Sequence, residues 1–133
     1  MLVSSTTLAV EIFKFAQTAA VANRDDVKEV KIRWLSPNGK PVKTSAGFEL
    51  QPTHSIDDVF DSDLVHIPAM WRNPKPVVDQ YPSYIPWLQN QHKKNSKFTA
   101  VGTGVCFLAE AGLLDDKPAT THWHYFDQFQ RRY

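Results

Sequence analysis

The residues best placed to do chemistry lie in the run from Ala100 through Gly102-Thr103-Gly104 and Cys106 to Leu114, and in the nearby Ala119-Thr120-Thr121-His122-Trp123. Lys97-Phe98-Thr99-Ala100-Val101 is a short, β-favouring apolar run that predicts an interior strand. Gly102 and Gly104 then bracket a turn in which φ can be positive without steric cost. From Val105 the apolar residues Leu108, Ala109, Leu113 and Leu114 recur at helical spacing, with Gly112 near the helix end. A strand that enters a helix through such a turn leaves backbone N–H groups facing whatever lies above the sheet. That geometry makes an anion or polar-ligand site, and it is also how a nucleophile elbow projects its side chain.

Three other groups have chemical potential and a plainer reading beside it. Cys106 is the single cysteine, one turn into the expected helix, and its position predicts a small buried hydrophobe facing the sheet. A lone cysteine forms no intrachain disulfide, which fits a reducing cytoplasm. His122-Trp123-His124 has a spacing that can bring two imidazoles to one metal, but no third ligand is fixed nearby, so no metal or other cofactor is expected. His66 sits in an apolar run before Pro68 and reads as a hydrogen-bonded structural histidine.

The elements that must position these groups alternate along the chain. Thr7 to about Asn23 predicts a helix capped by one of Ser4, Ser5, Thr6 or Thr7, with Leu8, Ile12, Phe15, Ala16 and Ala19 as its buried face. Val27 to Leu35 reads as a strand through Val27, Val30, Ile32 and Trp34, closed by the Pro37-Asn38-Gly39 turn. Extended pieces are expected around Gly47 between Val42 and Leu50, a brief helix from Ser55 to Phe60, and a buried parallel strand from Leu64 to Ile67. Pro74, Pro76 and Pro82 make Arg72 to Pro82 a loop, and Ser83 to about Lys93 a helix with Pro86 early, where its missing N–H is tolerated. A short strand near Ala119 and a last helix from about Trp123 complete the series. Tyr84, Trp87 and Trp34 read as packing residues, Lys93, Lys94 and Lys97 as a helix-end basic patch that suits the dipole, and Arg131-Arg132 as a solvated helix face.

The sum is an α/β domain, doubly wound, with a mostly parallel sheet flanked by helices. With 133 residues and 42% hydrophobic content the chain fits one domain with a real core, and its formal charge of +1 leaves no footprint for non-specific nucleic-acid binding. No secretory leader and no membrane-spanning segment is legible, so a soluble cytoplasmic protein without membrane partners is expected.

These stretches carry a resemblance. Leu108-Ala-Glu-Ala-Gly-Leu-Leu114 followed by Ala119-Thr-Thr-His-Trp123 is similar to the ThiJ/PfpI division of the class I glutamine amidotransferase-like superfamily, and most of all to the sensor domain of AraC-type transcriptional regulators. Leu8-Ala-Val-Glu-Ile-Phe13, Trp34-Leu-Ser-Pro-Asn-Gly-Lys-Pro41, Thr44-Ser-Ala-Gly47 and Asp63-Leu-Val-His-Ile-Pro68 extend it over nearly the whole chain. The resemblance implies a flavodoxin-like fold, and against it both ends read as truncated. It predicts a single incomplete domain over residues 1–133, a fragment or misassigned reading frame of a longer regulator whose DNA-binding helix-turn-helix domain is absent. DNA would then be bound only through that missing C-terminal domain.

The resemblance also frames the chemistry. In enzymatic members the elbow residue is a cysteine, and the matching position here is Gly102, which offers no nucleophile. The partner acid's position matches Ser5, and His122 matches the histidine near the pocket. What the resemblance implies is a non-catalytic sensor, a homodimer, whose effector is a small molecule such as an amino acid or a quaternary amine. In this architecture ligands bind at the carboxyl ends of the strands. That edge gathers Met70, Trp71, Gly102, Thr103, Gly104, His122 and Trp123 as candidate ligand-binding residues. There Trp71 and Trp123 either lie against an apolar or cationic group or serve as packing or dimer contacts. Two other classes stay open: an enzyme of amidase, hydratase or glyoxalase type with a nucleophile elsewhere, and a module that only dimerises.

Overall fold

The computed structural model describes residues 1–24, 26–58 and 60–133. Its elements in chain order are α1 (Ser4–Val21), β1 (Leu35–Ser36), β2 (Val42–Lys43), β3 (Glu49–Leu50), β4 (His54–Ser55), β5 (Leu64–Ile67), α2 (Lys75–Gln80), α3 (Tyr84–Lys93) and β6 (Lys97–Ala100). A 3-10 turn (Gly102–Gly104) then leads into α4 (Val105–Glu110), and a second (Trp123–Tyr125) into α5 (Phe126–Arg132). The architecture is the expected flavodoxin-like α/β arrangement. Strands pair as three separate two-stranded ladders: β1 with β4 and β5 with β6 are parallel, and β2 with β3 is antiparallel.

The core has one centre. β5 and β6 run in register from Leu64 opposite Lys97 to Ile67 opposite Ala100, and the parallel crossover between them is filled by α2 and α3. Against this pair pack Leu88 of α3, Val78 of α2, Phe107 and Leu108 of α4, and Phe129 of α5. Four successive α4 residues, Val105 to Leu108, are buried. This is a helix enclosed on all sides, which an amphipathic pattern does not describe. Its end is a Schellman motif: Gly112 at φ +69° donates its N–H to the Ala109 carbonyl and Leu113 donates to that of Leu108.

Several expectations need correction. α1 starts at Ser4, and no hydroxyl caps it; Ser5 and Thr6 donate back to the Leu2 carbonyl and Thr7 to that of Val3. Its expected buried face is exposed, because Thr6, Ala9, Val10, Gln17 and Ala20 face the rest of the chain instead. The expected strand over Val27–Leu35 keeps the alternation, with Val30, Ile32 and Trp34 half-buried between exposed Lys31 and Arg33, but it forms a ladder only at Leu35–Ser36. The brief helix expected from Ser55 to Phe60 is not formed in its described residues: Ser55 ends β4 and Ile56–Asp58 turn, with the Asp57 N–H donating to Ser55 Oγ and Asp58 accepting from the Ser55 N–H. Val59, within that span, lies outside the described residues.

The proline-rich stretch contains α2, because Pro74 takes the N-cap position and Pro76 falls in the first turn, where no N–H is needed. No strand forms near Ala119. The antiparallel pieces around Gly47, the helix after Ser83 and the last helix lie where they were expected.

Candidate functional site

β6 ends at Ala100, and the Val101 N–H still pairs with the Ile67 carbonyl before the chain breaks sharply at Gly102, φ +49°. This left-handed residue is the point of the elbow. A Cβ built on Gly102 would meet His122 Cβ at 3.7 Å and Ala69 Cβ at 3.8 Å, ordinary contacts. The site therefore has room for a side chain at the elbow and keeps the left-handed backbone, yet carries no side chain.

Gly104 is glycine for a different reason. A Cβ there would lie 2.6 Å from the Pro68 carbonyl oxygen and 2.8 Å from that of Ile67, so the start of α4 is pressed against the end of β5. Its N–H is also spent, donated to the Val101 carbonyl at 2.9 Å. Gly104 is thus a packing residue and supplies no free donor. Thr103 is buried, and its hydroxyl both donates to the Met70 carbonyl and accepts from the Met70 N–H at 3.0 Å. Met70 belongs to the core cluster. Among the described residues no acceptor takes the N–H of Gly102 or Thr103, which leaves two adjacent backbone donors at the elbow.

The aromatic members face solvent. Trp71 is 59% and Trp123 80% exposed, and Arg72, next to Trp71, holds φ +61°. His122 stacks against Trp123 with ring centroids 5.5 Å apart, and its Nδ1 accepts from the His124 N–H at 3.2 Å. The Thr121 hydroxyl donates to the Gly102 carbonyl at 3.2 Å, tying this segment to the elbow. Among the described residues no cluster of three metal-ligating side chains forms, and the His122 and His124 rings each lie against Trp123, with centroids 5.5 Å and 5.3 Å from it.

Ser5 is brought to the same place. Its hydroxyl donates to the Leu2 carbonyl and accepts from the Ala69 N–H at 3.0 Å, and Ala69 is the residue that borders Gly102. His66 fixes this junction: its Nδ1 pairs with the Thr99 hydroxyl and its Nε2–H donates to the Ser5 carbonyl, both at 2.8 Å. Both ring nitrogens are used, as expected of a structural histidine. Ser5, Gly102 and His122 thus converge about Ala69, a residue whose type gives no sign of it. Cys106 is almost wholly buried, and burial pushes its thiol up to about 11, so it stays protonated at neutral pH.

Sequence reasoning also missed a polar cluster on the far side of α4. Arg132 reaches Glu110 at 2.9 Å and Asp79 at 3.5 Å, the Tyr133 hydroxyl donates to Glu110 at 2.8 Å, and Lys75 pairs with Asp79. The Tyr133 hydroxyl and the Arg132 guanidinium hold the Glu110 carboxyl below its ordinary range. Arg132 thus ties α2, α4 and α5 together while remaining on the exposed face expected of it. Beside it is a cleft of about 650 Å³, lined by Leu114, Asp115, Phe126 and Phe129 among others.

Comparison with known proteins gives three kinds of match. The profile of the DJ-1/PfpI family covers residues 3–132. The HTH-type transcriptional regulator CdhR of Pseudomonas aeruginosa is 32% identical over 85% of this chain and 33% of its own length. An isonitrile hydratase of Pseudomonas putida is 33% identical over 74% of this chain and 42% of its own. The HTH-type transcriptional regulator GbdR of Pseudomonas aeruginosa is 31% identical over 68% of this chain and 24% of its own. A solved structure from Vibrio parahaemolyticus, put forward as a transcriptional regulator, superposes with a TM-score of 0.82 at 25% identity over 96% of this chain and 64% of that one. The chain thus spans between a quarter and two fifths of the curated relatives it matches.

Proposed function

The chain belongs to the DJ-1/PfpI family, and from that premise we propose that it is the small-molecule-sensing domain of an AraC-type transcriptional regulator, without catalytic activity of its own. The observation that carries this reading is the elbow: a left-handed turn with space for a nucleophile and glycine at its apex. Its similarity to the regulators CdhR and GbdR supports the regulatory role. The regulator is a cytoplasmic homodimer that meets DNA through a separate helix-turn-helix domain.

The same elbow suits recognition. The adjacent N–H groups of Gly102 and Thr103 are backbone donors of the kind that holds a carboxylate. The exposed faces of Trp71 and Trp123 suit an ammonium or apolar group. A zwitterion, an amino acid or a quaternary amine, matches both halves. Calorimetry with a panel of amino acids and betaines tests this: saturable binding that weakens at least tenfold in Trp123→Ala supports it. No binding to any member overturns it.

A second reading rests on the similarity to isonitrile hydratase. An enzyme built on this chain needs a nucleophile other than the elbow residue, and Cys106 is the one thiol. Hydration of an isonitrile by the purified chain, abolished in Cys106→Ser, would replace the sensor with an enzyme.

A further inference from the structure

The turn between β1 and β2 sets an asparagine directly before a glycine, Asn38-Gly39. Glycine has no side chain to shield its backbone nitrogen, so that nitrogen is open to the neighbouring asparagine amide. The folded turn brings the two groups together. Asn38 Oδ1 accepts from the Lys40 N–H at 3.2 Å, which curls the side chain back over the Gly39 peptide as an Asx turn. Gly39 holds φ +70°, and among the described residues no acceptor takes its N–H. Asn38 is exposed, so water and hydroxide reach it.

We infer that Asn38-Gly39 is a self-modifying site of the folded protein, at which Asn38 deamidates through a cyclic imide. Hydroxide removes the Gly39 N–H proton, the nitrogen forms a bond to Asn38 Cγ, and the electron pair of the Cγ=O bond moves onto Oδ1. The Lys40 N–H already donates to that oxygen and stabilises the charge that develops there. The carbonyl re-forms as the Cγ–Nδ2 bond breaks, and Nδ2 takes a proton from water and leaves as ammonia. A second water then opens the imide at one of its two carbonyls. Breaking the bond from Cγ to the Gly39 nitrogen gives aspartate. Breaking the bond from the Asn38 main-chain carbonyl carbon gives isoaspartate, whose backbone is longer by a methylene. Water is consumed and ammonia released, and nothing is oxidised or reduced.

The other asparagines lack this combination. Pro74 follows Asn73 and has no N–H to give up. The Ser96 N–H, next after Asn95, is already donated to the Gln91 carbonyl at 3.1 Å, and Asn90 lies inside α3. Asn23 Nδ2 donates to the Ala19 carbonyl at 2.7 Å, and the bulkier Arg24 follows it. The change at Asn38 also has a neighbour to disturb: the Ser55 hydroxyl donates to the Pro37 carbonyl at 3.3 Å, and Ser36 pairs with Ser55 in the β1–β4 ladder. Aspartate keeps an acceptor for the Lys40 N–H, whereas isoaspartate lengthens the chain beside that ladder.

The assignment stands whether or not the chain senses a ligand. Incubation of the whole chain at mildly alkaline pH, sampled over days and mapped by peptide mass spectrometry, tests it. The peptide holding Asn38 is expected to gain the mass of an amide-to-acid exchange before any other asparagine peptide, and to split into two chromatographic isomers of equal mass. Asn38→Ser is expected to lose that gain and keep its circular dichroism spectrum, because a serine hydroxyl can still accept from the Lys40 N–H. The same chain unfolded in urea gives the rate of the pair without its turn. The folded chain is expected to convert at least as fast, since the turn holds the reacting atoms together. A slower folded rate means that the turn shields the pair and overturns the inference, as does earlier conversion of any other asparagine.

Discussion

The segment from β5 to α5 and the segment before it use apolar residues in opposite ways. Every member of the main core cluster lies between Val65 and Phe129. In α1 the large apolar residues Leu8, Ile12 and Phe15 stand in solvent, and the one buried residue of the helix is Thr6. Both segments show helical apolar spacing, so periodicity identifies a helix that can bury a face without identifying what covers it. In the later segment the cover is the β5–β6 pair. In α1 it is not the chain's own core.

The widest expected gap between the two is in stability. Phe107→Ala empties a site walled by Tyr84, with ring centroids 5.5 Å apart, and should cost about 3–5 kcal/mol in urea unfolding. Phe15→Ala, measured at monomer concentrations, should change stability by less than about 0.5 kcal/mol, as exposed sites do. Equal losses would mean that α1 packs against its own chain after all.

The elbow sharpens the contrast at single glycines. Gly104→Ala drives a methyl into the Pro68 and Ile67 carbonyls and should cost about 1–3 kcal/mol. Gly102→Ala meets no clash and carries only its left-handed backbone, about 1 kcal/mol. The order of the two midpoints in denaturant checks this.

Cys106 gives the later segment a pH dependence. Its folded thiol is held up to about 11, above the ordinary range, so between about pH 9 and 11 the unfolded chain gives up a proton that the folded one keeps. Stability should therefore fall as pH rises through this window, by at most about 1 kcal/mol per unit after allowance for solvent screening. Cys106→Val should flatten that slope in unfolding midpoints taken from pH 8 to 11 (approximate limits set by the same thiol range).

The smallest effect belongs to Glu110. Its lowered carboxyl contributes stability that is present above the ordinary glutamate range and is lost as pH falls through the folded value. Glu110→Gln should cost about 0.5–1 kcal/mol at neutral pH, with the pair partly exposed, and the difference from wild type should close in acid.

What could be read in the residues beforehand divides along similar lines. The strand from Lys97, the glycine turn, the buried Cys106 and the end of α4 at Gly112 all rest on local rules, and each is found in place. α2 was hidden because Pro74 and Pro76 look like helix breakers until their places at the N-terminus are known. The misreading of α1 has another cause: Leu8, Ile12, Phe15 and Ala19 do form one stripe, but the side a helix turns inward depends on tertiary contacts such as those of Lys14 and Gln17 to Val30. At the site, the elbow was legible and its wiring was not. Nothing in the sequence ties Ser5 to Ala69, spends the Thr103 hydroxyl on Met70, or joins Arg132 to Glu110, because each contact spans long stretches of chain.

The Thr121 hydroxyl on the Gly102 carbonyl carries one more consequence. The start of α4 already lies as close to Pro68 and Ile67 as a glycine allows, so it cannot move nearer to β5. The strip around His122 and Trp123 is fastened to the elbow at its near end by this side-chain bond and is continuous at its far end with α5. The elbow, this strip, α5 and, through the Arg132–Asp79 pair, α2 are therefore joined in one continuous series of contacts.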